Sequence, residues 1–523
     1  MIDALLHDYV QNVLTLLTFI KVKLLIIRDV EMARGEMTGS LAYALFTAVL
    51  GMLQFGYHTG VINAPQNEIE SFINGSYPGE SGAGTGKQTA QTLFSLAVSL
   101  FAVGGMVGSV TGGMLASKKG RRGALLIASS LGVVGSVFMG ISKTSNSYEL
   151  LAIGRLIVGL NCGLATSVVP MFVSEIAPVN IRGAMGTVNQ LAVTFGLVIS
   201  QILGIDNILG TDSGWPWLLG IALIPSVLQV LLLFGCPESP RYLLITKRDE
   251  EAARRVLVKL RGRVDIDSDI EEMHAEDRSE RSEAAVSLIE IFKSKSLRAP
   301  LIIGIMMHLS QQFSGINGVF YYSTSIFESA GWELEVAKKA TIGIGGTMFL
   351  MTLVTVPIMD RAGRRTLHLW GLGGMFVSSI LMTVALYTYE STKVMSTFAI
   401  IFTFMYCGFF GLGPGSIPWM IMAELFSQGS RPNAMAFGAL INWLANFIIS
   451  LIFPVINTGL KNASFIPFTI LIAIFWIFTY YKLLCCSTLC DKDKVLLTNY
   501  CVSLVYVHRS CQNLCSVVTM TRH

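Results

Sequence analysis

The strongest constraint on this chain is a recurrence of apolar runs, each close to or above the ~20 residues that a helix needs to cross a bilayer. In hydrocarbon every backbone polar group must be satisfied within the segment, so such runs fold as helices. From Leu41 onward the runs begin near residues 41, 92, 123, 149, 183 and 215 and, after a polar stretch at 237–298, near 299, 340, 366, 395, 433 and 464. The pattern predicts an all-α membrane protein of twelve transmembrane helices: a six-helix half (41–236), a charged loop (237–298) and a second six-helix half (299–484), flanked by an extension (1–40) and a cysteine-containing tail (485–523). Composition agrees, because the 523 residues are 52% hydrophobic and 14% charged, against about 25% charged in soluble chains.

A net charge of +4, dispersed along the chain, gives no footprint for a nucleic-acid partner. Of nine cysteines, Cys162, Cys236 and Cys407 lie inside apolar runs and the other six fall after residue 484, so no extracellular disulfide framework is visible. No Cys/His spacing suggests a metal, no cofactor motif occurs, and no nucleophile, base or phosphate loop suggests an enzyme. Residues 10–20 are apolar but too short to span, and their positive charges follow rather than precede them, the reverse of a signal peptide. They read as an interfacial or disordered extension.

Lys and Arg fix the orientation, since positive loops stay on the cytoplasmic side. The gaps after the even-numbered spans hold 22 basic residues and those after the odd-numbered spans 6, which predicts both termini in the cytoplasm; the membrane expected is the plasma membrane. Two glycosylation sequons, at Asn74 and Asn462, fall on the predicted outside, with Asn74 in the longer and more polar loop. The 237–298 loop carries helix-like charged runs and reads as a small cytoplasmic helical cap.

The two halves repeat. GRR recurs as Gly120–Arg122 and Gly363–Arg365, and a Glu precedes an Arg by seven residues at Glu175/Arg182 and again at Glu424/Arg431. Parallel six-helix repeats with matched charge motifs are the mark of a transporter that rocks about a midplane site. Arg155, Glu175, Arg182, Asp360, Arg361, Arg364, Arg365, Glu424 and Arg431 are expected to form a cytoplasmic network bridging the halves, which when intact favours the outward-open state. Positive-inside topology alone explains the arginines but neither the acidic partners nor Arg155, an intramembrane charge.

Within the spans the polar residues are mostly amides: Gln190, Gln311, Gln312, Asn317, Asn442 and Asn446. An amide donates and accepts without charge, which suits a neutral polyhydroxyl solute such as a sugar. Ser314 and Gly315 weaken the seventh span, and Gly413–Pro418 interrupts the tenth, tolerated only where backbone faces a cavity or protein. Trp419, at the end of that break, offers an aromatic face to a sugar's C–H surface. The alternative for each amide is helix-to-helix glue.

From about 37 to 482 the chain closely resembles the facilitative glucose transporters of animals, sugar porters of the major facilitator superfamily. The resemblance rests on LQFGYHTGVINAPQ (53–66), GRLIVGLNCGL (154–164), PESPRYLL (237–244), QQFSGINGVFYYSTSIFE (311–328), DRAGRRTLHL (360–369) and IPWMIMAELFSQGSRP (417–432). It implies hexose uniport by alternating access, with Gln190, Gln311, Gln312, Asn317, Trp419 and Asn446 on the sugar and Asn442 near them. It also implies an outer gate at Tyr321 and Tyr322, cavity aromatics at Phe320 and Phe410, and an inner charged gate that includes Glu238 of the PESPRYLL motif. The partners are then a hexose and the lipid bilayer, with a homo-oligomer left open.

Departures from the family pattern are Met348 for a cavity asparagine, Gly411 for an acidic residue, His308-Leu309-Ser310 for Gln-Leu-Ser, and Ser117 for Asp or Asn. After Lys482 the resemblance stops, as an alternative exon or a change of frame would produce; Cys485 and Cys486 read as reduced cysteines ahead of acylated ones. The main rival function is proton-coupled symport, because related symporters place an aspartate where this chain has His58. If Arg155 lies close by, its positive charge disfavours a second one on the imidazole and removes the proton carrier. A sugar sensor or inactive isoform is the rival from another class.

Overall fold

The structure is a computed structural model and describes residues 37–76, 85–282, 286–388, 394–426 and 429–482. The apolar segment at 10–20 and the tail cysteines lie outside the described residues. The first half holds α1 (Gly39–Gly60), α2 (Gln66–Ser76), α3 (Thr85–Ile141), α4 (Tyr148–Ile176), α5 (Arg182–Leu203), α6 (Trp215–Gly220) and α7 (Leu223–Gly235). The loop contributes α8 (Glu250–Arg261), α9 (Asp267–Ser282) and α10 (Leu288–Lys293). The second half holds α11 (Lys295–Gln312), α12 (Ile316–Ser329), α13 (Leu334–Ala362), α14 (Arg364–Thr388), α15 (Val394–Leu412), α16 (Ile417–Leu425), α17 (Arg431–Leu460) and α18 (Ile466–Lys482).

These elements make the twelve passes that the hydropathy predicts, with three of them broken: α6/α7, α11/α12 and α15/α16. The expected second and third spans are two helices, grouped here as α3, that meet directly at Gly120, whose non-helical φ of 82° lies in the region that only glycine enters freely. No separate loop is needed there. Glu238 completes the turn, its Oε1 accepting from the backbone N–H of Arg121 (2.9 Å), Arg122 (3.2 Å) and Ser239 (2.8 Å).

Close helix packing in the first half depends on residues without side chains. A Cβ on Gly104 of α3 would sit 2.1 Å from Leu156 O, and one on Gly159 of α4 would sit 2.1 Å from Phe101 O. This is the small-residue contact that lets membrane helices approach where lipid supplies no hydrophobic drive. Beside it, Gln54, Asn161, Ser226 and Gln229 form a buried polar network: Gln54 Nε2 donates to Gln229 Oε1 (2.9 Å), and Gln54 Oε1 accepts from Asn161 Nδ2 (2.9 Å) and Ser226 Oγ (3.0 Å).

The charged loop is helical as expected. Asp249 caps α8 by accepting from Ala252 N, Gly262 ends it at φ 67°, and Ser287 with Glu290 forms a reciprocal capping box at α10. Arg261 fastens the loop helices to the bundle, pairing with Asp269 (2.9 Å) and donating to Ile176 O (2.7 Å) at the end of α4.

Candidate functional site

The seventh pass breaks because Gly315 adopts φ +85° between α11 and α12, which ends one helix after Gln312 and starts the next at Ile316. The break sets Gln311, Gln312 and Asn317 at one level, facing α17. Gln312 Nε2 donates to Asn442 Oδ1 (2.9 Å), Asn442 Nδ2 donates to Gln311 Oε1 (2.5 Å), and Asn317 Nδ2 donates to Gln312 Oε1. All four amides are buried. Gln311 Nε2 also donates to Pro414 O (2.8 Å) and Gly415 O (2.7 Å), carbonyls freed where the tenth pass breaks between α15 and α16. The two interrupted helices therefore meet at one glutamine, which satisfies backbone that lipid could not.

Around this knot the structure gathers most of the expected residues. Asn446 Oδ1, one turn along α17 from Asn442, accepts from Tyr321 OH at 3.4 Å. Phe320 and Phe410 meet edge to face at 6.2 Å. Trp419 lies edge to face with His308 at 4.8 Å, and His308 Nδ1 is 3.2 Å from Asn442 Nδ2. His308 is thus a full member of the cluster, which a count of amides in the spans passes over. Gln190 stands apart: it is half-buried on α5 in the other half and makes no side-chain hydrogen bond with these amides. Where the family pattern would place an acidic side chain at Gly411, a Cβ would meet Met351 Cβ at 3.1 Å and Met348 Sδ at 3.6 Å, so this wall is apolar.

On the face that carries the loop helices, the repeat holds at the level of atoms. Arg121 pairs with Glu175 (2.6 Å) and donates to Ala116 O; its counterpart Arg364 pairs with Glu424 (3.2 Å) and donates to Met359 O. The next arginine caps the last pass of its own half, Arg122 on Phe234 O (2.9 Å) and Arg365 on Tyr480 O (3.2 Å). The bridge expected between the halves is not made in this conformation: among the described residues these ion pairs stay within one half or run to the loop helices, and none joins half to half. Arg182 reaches Glu272 (3.5 Å) and Glu276 (3.8 Å) of α9 rather than Glu175, and Arg431 donates to Phe426 O. The side chains of Asp360 and Arg361 lie outside the described residues.

With this geometry in view, the family model for "Sugar (and other) transporter" matches residues 44–490. The solute carrier family 2 facilitated glucose transporter member 1 of Gallus gallus is 47% identical over 448 residues, 86% of this chain and 91% of that protein. Member 4 from Bos taurus is 48% identical over 458 residues, 87% and 90% of the two chains. This chain belongs to the sugar transporters of solute carrier family 2. Its fold matches the xylose transporter XylE of E. coli in a partially occluded inward-open conformation, with a TM-score of 0.70 at 25% identity over 84% of this chain and 99% of that one. The transporter has the major facilitator fold, and it is not an enzyme.

The end of the transporter away from the loop helices is sealed across the halves. Asn63, just after α1, donates to Phe320 O (2.8 Å) and Ser323 Oγ (2.6 Å) and accepts from Thr324 N (3.2 Å). Behind it Tyr321 and Tyr322 are buried, Tyr322 stacking on Phe453 at 5.5 Å and donating to Ser450 O. Arg155 belongs to this end and not to the charged face, because it sits two turns into α4 while Glu175 lies 20 residues on, about 30 Å away at 1.5 Å per residue. Its Nη1 donates to His58 O (2.9 Å) and its guanidinium lies 4.6 Å over the Phe101 ring. His58 is fully buried, and neither ring nitrogen has a hydrogen-bond partner among the described residues.

Proposed function

We propose that this transporter carries D-glucose or a related hexose across the plasma membrane by facilitative uniport, with both termini in the cytoplasm. The observation that carries the substrate class is the uncharged amide knot of Gln311, Gln312, Asn317 and Asn442 at the meeting point of two broken helices. A hexose offers hydroxyls that both donate and accept, so it can replace each amide-to-amide bond with an amide-to-hydroxyl bond and leave no group unsatisfied. An ion or an anion could not do so without a counter-charge. Trp419, Phe320 and Phe410 supply the apolar contacts, Asn446 and Gln190 complete the polar wall, and Tyr321 and Tyr322 act as the outer gate.

Alternating access follows from the asymmetry between the two ends. The outer end is held shut by Asn63 against α12, whereas the charged pairs at the inner end lie within halves or on the loop helices, which fits an inward-facing state. Reassembly of the inner pairs across the halves would accompany the outward-facing state. Uniport is favoured over proton symport by the surroundings of His58: a buried imidazole without a bonded ring nitrogen, its own carbonyl held by a guanidinium, is a poor place to add positive charge.

The test is zero-trans uptake of labelled glucose in hexose-transport-deficient cells with surface delivery confirmed, at acidic and near-neutral pH, with and without a protonophore. Saturable uptake that stops at equilibrium and ignores the protonophore is expected. Concentrative, protonophore-sensitive uptake would replace uniport with symport, and binding without flux would replace transport with sensing.

A further inference from the structure

One cation joins the two halves at the sealed end. Lys338, in the first turns of α13, is buried with its side chain 1% exposed, and its Nζ lies 2.6 Å from Asp206 Oδ1, 3.0 Å from Glu68 Oε1 and 3.2 Å from Gly210 O. Glu68 is on α2, and Asp206 and Gly210 lie in the connection after α5, so all three partners come from the first half while the lysine comes from the second. Glu328, near the end of α12, is a further carboxylate and bonds to Asn67, the residue before Glu68. The cluster holds more negative than positive charge. Lys339, the next residue, is more than half exposed and, among the described residues, pairs with Glu335 one turn back on its own helix.

We infer that Lys338 is a positioning residue for transport: it is the latch that holds the outer entrance shut and sets the bias between inward- and outward-facing states. The inference rests on the alternating-access reading above. In the closed state the buried ammonium is the group that lets Glu68 and Asp206, 17% and 34% exposed, approach one another; without it, two like charges confront each other beside a buried vacancy for the cation. In the open state the carboxylates face water and the lysine is no longer needed. Neutralising Lys338 therefore raises the energy of the closed form alone and moves the population outward. Removing the carboxylates as well relieves the repulsion and returns the bias toward its starting point.

The test uses the full-length transporter at the surface of intact cells, with a reporter cysteine at Ile326, which is buried at 3% in the seal on α12. Its rate of modification by an impermeant maleimide, corrected for the same chain without the reporter, reads the time the outer end spends open. Lys338→Met is expected to raise that rate about tenfold or more, as removal of one member of a buried charge cluster implies. Lys339→Met should leave it unchanged, and adding Glu68→Gln and Asp206→Asn to Lys338→Met should slow it to within about threefold of the parent. An unchanged rate in Lys338→Met, or a faster rate that the two carboxylate substitutions do not slow, overturns the latch. Glucose flux measured in parallel separates the two readings: the labelling pattern without flux would overturn hexose transport and leave the latch standing, while flux with unresponsive labelling would do the reverse.

Discussion

Replacing Gln312 by leucine removes one member of the amide knot with little change in volume, and the same exchange at Gln54 removes one member of the buried network in the first half. Gln312 Nε2 donates to Asn442 Oδ1 at 2.9 Å, and its Oε1 accepts from Asn317; Gln54 makes three comparable bonds to Gln229, Asn161 and Ser226. In the empty protein both exchanges leave buried amides unsatisfied, at about 1–3 kcal/mol for each orphaned group. They differ in what a sugar can repair. If Gln312 exchanges its two partners for sugar hydroxyls, its loss removes two neutral hydrogen bonds from the bound state, about 1–3 kcal/mol together, or about 5- to 150-fold in half-saturation. Gln54 belongs to a network confined to the first half and away from the knot, so Gln54→Leu should lower thermal stability and surface yield while the half-saturation of the molecules that reach the surface stays within about twofold. The assay is concentration-dependent glucose uptake normalised to surface protein. Equal shifts in half-saturation for both variants, or none for Gln312→Leu, would refute the assignment of the knot to the substrate.

Other outcomes follow from the same geometry. Arg121 and Glu175 are 12% and 8% exposed whereas Arg364 and Glu424 are 31% and 52% exposed, so Arg121→Gln should change the ratio of influx to efflux half-saturation several-fold more than Arg364→Gln, an exposed pair being worth about 0.2–1 kcal/mol. Gly159→Val should abolish surface delivery, because its Cβ would lie 2.1 Å from the Phe101 carbonyl, a backbone atom that cannot swing aside; monodisperse, heat-stable protein from this variant would contradict the packing. Asn74 is exposed on α2 while Asn462 is half-buried in a short turn, so Asn74→Gln should remove the mobility shift produced by a deglycosidase and Asn462→Gln should leave it in place.

Much of the candidate site was legible because amides inside apolar runs are conspicuous: Gln311, Gln312, Asn317, Asn442 and Asn446 stand out, and so do the two helix breaks beside them. Their meeting was not legible. Whether an amide faces a cavity or glues helices depends on rotation about the helix axis, and Gln54, Asn161 and Gln229, amides in apolar runs that the sequence reading passed over, are bonded into a network of their own. His308 was visible as a departure but not as a partner of Asn442. For the charges, the repeat predicted which residues correspond, and the pairs Arg121–Glu175 and Arg364–Glu424 follow it. The assignment of Arg155 to that face failed because a charge was grouped by type rather than by depth: α4 enters at Tyr148, so residue 155 lies near the opposite end from residue 175.

Sequence by itself determined the number of crossings and the two-fold repeat, since lipid forces apolar runs into helices and the charge motifs recur at matching places in the two halves. Tertiary structure alone decided which face each polar side chain presents, that Gln311 ties the two broken helices together, and that Lys338 joins α13 to Glu68 and Asp206, which lie 270 and 132 residues away. The reason is physical: hydropathy and backbone preference act locally along the chain, whereas pairing of polar groups in a bilayer depends on how whole helices pack and turn against one another.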